Sequence, residues 1–99
     1  MAAKRAQLPF RDELPRLLRD NGISGRELAK QVGIDQSYVS LVLNGQRAPS
    51  RKLLERSAEA LGLPAAYWRE FREQVVLERI RADAALLERV YALVDAAPK

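Results

Sequence analysis

The chain has 99 residues, enough for one domain with a modest core, and 47% of them are hydrophobic against 30% charged, a balance that favours folding over disorder. It contains neither cysteine nor histidine, which removes disulfides, thiolate and imidazole zinc sites, and the commonest general base near neutral pH. The formal net charge of +4 is unevenly placed: residues 1–56 hold 11 Lys and Arg against 6 Asp and Glu, and residues 57–99 hold 6 against 7, so a polyanion would be met by the N-terminal half. The longest purely apolar runs span a few residues, far short of the roughly 20 of a membrane-spanning helix. A cytoplasmic protein is expected.

Residues 1–7 are small, polar and basic, without periodicity, and read as a flexible arm. Leu14, Leu17 and Leu18 then follow helical spacing, with Asp12 as the expected N-cap, Pro15 in the first turn and Asn21-Gly22 as the stop. Ser24 and Glu27 have the spacing of a capping box ahead of a short helix that buries Leu28, Ala29 and Val32 and ends at Gly33. Asp35 caps a third helix anchored by Val39, Val42 and Leu43 and closed by Asn44-Gly45; the basic loop Gln46–Pro49 follows. Ser50 caps a fourth helix carrying Leu53, Leu54, Ala58 and Leu61 as far as Gly62. Leu63-Pro64 opens a fifth, with Trp68, Phe71 and Val75 in register and the pattern continuing through Val76 and Ile80. Asp83 starts a last helix bearing Leu86, Leu87, Val90, Tyr91 and Val94. Nothing alternates like a strand, so the fold class is all-α.

The segment from Gly25 to Asn44 has a demanding order. Ala29 is small where two helices cross closely, Gly33 supplies a left-handed turn four residues later, and Ile34 tucks beneath it. Val39 and Val42 anchor the second helix while its N-terminal polar residues stay free. This gives two helices at a steep angle joined by a short turn. Taken alone, the spacing fits equally an αα-hairpin in a bundle with no partner. The exposed set tells the two apart, because a bundle without a ligand has no need of Gln36, Ser37 and Ser40 on one face followed by Asn44, Arg47, Arg51 and Lys52.

The stretch LAKQVGIDQSYVSLVLNGQRAPSRKLLERSAEALGLP resembles the Cro/repressor class of helix-turn-helix domains, the XRE family, over roughly residues 11–68. The resemblance implies a five-helix repressor-like DNA-binding domain at residues 8–68, followed at 69–99 by a helical extension. It implies sequence-specific binding of double-stranded DNA by a small transcriptional regulator, a repressor, with the helix Gln36–Leu43 in the major groove. Gln36 suits adenine, since its amide both donates and accepts. The family also reads bases at the next position, Ser37. Ser40 lies one turn on, and Leu41 is placed to meet a thymine methyl or to sit in an interface.

Expected phosphate contacts are Ser24 and Arg26 at one helix N-terminus, then Tyr38, Asn44, Arg47, Arg51 and Lys52; the Tyr38 hydroxyl has packing against a neighbouring helix as its alternative. Val76, Ile80, Leu87, Val90, Tyr91 and Val94 are assigned to a homodimer interface, the alternative being that they fold back onto the monomer's own core. No enzyme, cofactor, metal or small-molecule effector is expected, and the protein is placed on the nucleoid. A second functional reading is an antitoxin-like or phage accessory module whose tail binds another protein.

Overall fold

The computed structural model describes residues 5–98. Its elements are α1 (Phe10–Asp20), α2 (Gly25–Val32), α3 (Gln36–Leu43), α4 (Arg51–Ala60), a single 3-10 turn (Ala65–Tyr67), α5 (Arg69–Ala82) and α6 (Ala84–Ala96). Four helix starts are capped by the residue immediately before them. The Ser24 and Glu27 side chains satisfy each other's backbone N–H at 3.0 and 3.2 Å, the full capping box. Asp35 accepts from the Ser37 amide at 2.8 Å, Ser50 from Leu53 at 3.1 Å, and Asp83 from Leu86 at 3.0 Å. Each such cap is worth about 1 kcal/mol.

α1 departs from the expected start. It begins at Phe10 behind Pro9, and Asp12 lies inside its first turn rather than capping it. The cap comes from far along the chain: both carboxylate oxygens of Glu70 accept from the Phe10 amide, at 3.1 and 2.9 Å. Pro15 consequently falls in the second turn, where its missing N–H deprives the Arg11 carbonyl of its helical partner.

The core gathers Phe10, Leu14, Leu28, Val39, Val42, Leu53 and Leu54 around Trp68, which is wholly buried. The indole N–H donates to the Leu54 carbonyl at 2.9 Å, and the ring meets Phe10 and Tyr67 edge-on at centroid distances of 4.6 and 5.3 Å. Seating the indole there requires extended backbone at Trp68 (φ −76°, ψ 131°). The fifth helix expected from Pro64 is therefore divided into a 3-10 turn before Trp68 and α5 after it. Val75, expected on the inner side of that helix, is 42% exposed.

Beside this cluster the Tyr67 hydroxyl donates to the buried Glu13 carboxylate at 3.2 Å, and Arg16 pairs with the same oxygen. Burial, reinforced by the Glu13 charge, holds the Tyr67 phenol above its usual range. The flexible arm expected over residues 1–7 does not include Ala6. Ala6 is buried, donates to the Tyr67 carbonyl at 2.8 Å and accepts from Arg72 at 2.8 Å. Residues 1–4 lie outside the described part.

Neither α5 nor α6 contains a buried residue. Asp83 alone separates them, serving as C-cap of one and N-cap of the other. The chain is drawn out as a result, with a radius of gyration of 15.7 Å against about 13 Å for a compact domain of this length. No helix among the described residues is long and apolar enough to cross a membrane.

Candidate nucleic-acid interface

The turn between α2 and α3 is built as its residues require. Gly33 takes the left-handed conformation (φ 70°, ψ 37°), and Arg56 of α4 caps the end of α2 by donating to the Val32 carbonyl at 2.9 Å. Leu28, Ala29 and Val32 of α2 pack with Val39 and Val42 of α3 in the core, with Ile34 against them. Fixing that side of α3 turns its other side outward: Gln36, Ser37 and Ser40 are exposed, and Leu41 is half-buried. α3 contains no charged residue. It offers amide and hydroxyl donors and acceptors, a surface suited to base edges rather than to phosphates.

The charges lie on the flanking segments. Ser24 and Arg26 are exposed at the start of α2, although the Ser24 oxygen is already engaged in the capping box. After α3, Asn44, Arg47 and Lys52 are exposed. The other two expected phosphate ligands are engaged within the protein. The Tyr38 hydroxyl donates to the Ala48 carbonyl at 2.9 Å and accepts from the Ser50 amide at 2.8 Å, so it braces the basic loop from inside. Arg51 is held by α5, pairing with Glu78 at 2.6 Å. Neither arrangement could be read from local spacing, because each partner lies ten or more residues away.

A further basic residue, Arg11, has no signal in the sequence pattern. It stands on α1, distant in sequence from the loop, yet its guanidinium rests on Gly45, whose positive φ of 76° and lack of a Cβ make room for it. With Arg47, Arg69, Gln46 and Pro9 it lines a shallow groove of about 380 Å³ beside the end of α3. Among the described residues Arg11 and Arg47 have no ion-pair partner, while Arg69 pairs with Glu73 and the Glu70 carboxylate also lines the groove.

Of the residues assigned to a homodimer interface, Val76, Leu87, Tyr91 and Val94 are exposed and Ile80 and Val90 half-buried. None of the six belongs to the buried core cluster or packs directly against it. Leu77 and Leu93 are exposed as well.

Two helices joined at a left-handed glycine, with a polar outer face and a basic loop behind it, define a class of protein. The helix-turn-helix family model matches residues 16–68, more than half of the chain, and the protein belongs to that family, in its Cro/repressor (XRE) branch. Among solved structures, a hypothetical transcription factor from Neisseria, NHTF, is 26% identical with a TM-score of 0.52, covering 76% of this chain and 99% of that one. A chain of a SinR/SinI protein complex is 19% identical with a TM-score of 0.56, covering 86% of this chain and 90% of that one, a likeness of fold alone. No curated protein matches in sequence. The chain is thus a helix-turn-helix DNA-binding protein.

Proposed function

We propose that the protein is a sequence-specific transcriptional regulator that lays α3 in the major groove of double-stranded DNA. One observation carries this reading: the outward face of α3 is polar and uncharged, while the segment that follows it, residues 44–52, carries Arg47, Arg51 and Lys52 and no acidic residue. Gln36, Ser37 and Ser40 read base edges, with Leu41 at the margin. Arg26, Asn44, Arg47 and Lys52 hold phosphates and fix the register. Arg11 joins them from α1. A protein seated on a duplex excludes others from it, so repression is the regulatory outcome proposed, exerted at the nucleoid in the cytoplasm.

The same reading makes the protein a homodimer through α5 and α6. α6 has 13 residues, about the length at which an isolated helix is marginal in water, and it carries exposed Leu87, Tyr91, Leu93 and Val94. A second copy would cover these side chains and present two copies of α3 to half-sites about one helical turn apart. The same apolar face favours the alternative in which a different protein docks there, as in an antitoxin-like module. Light scattering separates the two, since the purified chain alone has a dimer's mass only under the first.

Selection of bound sequences from a random duplex library tests the DNA reading. A recovered consensus with two-fold symmetry is the expected result, and recovery of no preferred sequence would refute base readout. Arg47→Ala should weaken binding to all sequences alike and lower the salt slope by about one. An unchanged slope would place Arg47 off the DNA.

A further inference from the structure

Arg51 is the first residue of α4 and adjoins the basic loop, yet its guanidinium belongs to α5. Its Nη2 donates to Glu78 Oε1 at 2.6 Å and its Nε to Gln74 Oε1 at 3.4 Å, while its Cζ lies 4.9 Å from the centre of the Phe71 ring. Gln74 also donates from Nε2 to the Pro49 carbonyl at 3.0 Å, tying the same helix to the end of the loop. Phe71, Gln74 and Glu78 all lie beyond residues 16–68, the part matched by the family model. The clasp is thus an addition made by the C-terminal extension to the DNA-binding unit.

A carboxylate and a phosphate engage arginine through the same planar array of N–H donors. An N–H donated to Glu78 is withheld from DNA. The Glu78 side chain is 65% exposed and that of Arg51 33%, so the pair sits in contact with solvent, where such bridges are weak and exchange readily. Gln74 has its own hold on Pro49 and does not depend on Arg51 to stay in place.

Building on the DNA-binding reading above, we propose that Glu78 is an internal acidic competitor for a DNA phosphate at Arg51. Through it α5 sets how strongly the neighbouring loop grips the duplex. On DNA, Arg51 exchanges the carboxylate for a phosphate, Glu78 returns to water, and the Gln74 bond keeps the loop in place.

The test uses the full chain and a fluorescent random duplex, titrated across a range of salt. Glu78→Gln should tighten binding by about threefold to tenfold at low salt, with a smaller gain at high salt, where the competing ion pair is already screened. Arg51→Met keeps an apolar stem over Phe71 and removes the contested charge; in that background Glu78→Gln should have no effect. An unchanged or weakened affinity for Glu78→Gln would overturn the proposal. So would an equal gain with Met at position 51, which would mark a general charge effect. If the unsubstituted chain bound no duplex at all, the DNA reading would fall first and the competition with it; a binding chain with a silent Glu78→Gln would defeat the competition alone.

Discussion

The helices before Trp68 and those after it differ little in local character and greatly in what they bury. Among the described residues every fully buried apolar side chain lies between Ala6 and Trp68, and α5 and α6 contribute none. Both regions have apolar residues at helical spacing, and both have a locally capped helix, α2 behind Ser24 and α6 behind Asp83. The difference is whether the rest of the chain supplies a surface for the apolar face to meet. Amphipathic spacing fixes where a helix forms and which side is apolar; it does not fix whether that side finds a partner within the same chain.

Truncation at the centre of the body should show the contrast most strongly. Trp68→Ala removes a wholly buried indole and its hydrogen bond to Leu54, and should cost about 3–5 kcal/mol in urea unfolding; a loss near zero would mean that the body is not organised around this ring. Gln36→Ala should leave folding untouched and cost about 1–3 kcal/mol in binding to the selected site, with much less change on random duplex. Equal losses on both would show that Gln36 does not read sequence.

Smaller changes sharpen the boundary between the regions. Tyr38→Phe removes the hydroxyl between Ala48 and Ser50 and should cost about 1 kcal/mol of stability, with uniform weakening of DNA binding as the loop loosens. Tyr91→Asp lies on the exposed face of α6 and should change the monomer's stability by less than about 0.5 kcal/mol. Its effect should fall on mass, a dimer becoming a monomer by light scattering. If the mass stays that of a dimer, the interface lies elsewhere.

How much of this was legible in the sequence depended on the range of each interaction. The Ser24–Glu27 box, the left-handed Gly33 and the caps at Asp35, Ser50 and Asp83 join residues three or fewer apart, or a single residue to its own turn, and all were foreseeable. The exposure of Gln36, Ser37 and Ser40 followed from the spacing of Val39 and Val42. What escaped was non-local. Glu70 caps a helix that starts sixty positions earlier in the chain, so Asp12 was the natural local candidate for that role. The spacing sets Trp68 in register with Phe71, and nothing in the sequence announces that the indole will reach the Leu54 carbonyl. Arg51, the first residue of α4, is expected on a phosphate, and only the folded α5 shows that its charge is already engaged.

The Glu70 cap also has a consequence for how the protein is made. During synthesis α2 and α3 are complete while the groups that seal α1 have yet to be joined to the chain. The Phe10 amide must wait for Glu70, and the Ala6 carbonyl for Arg72. Both bonds are made by residues of the first turn of α5, beyond the last residue matched by the family model. A fragment ending at that residue would keep the Trp68 cluster and lose the cap on α1, a loss of about 1 kcal/mol.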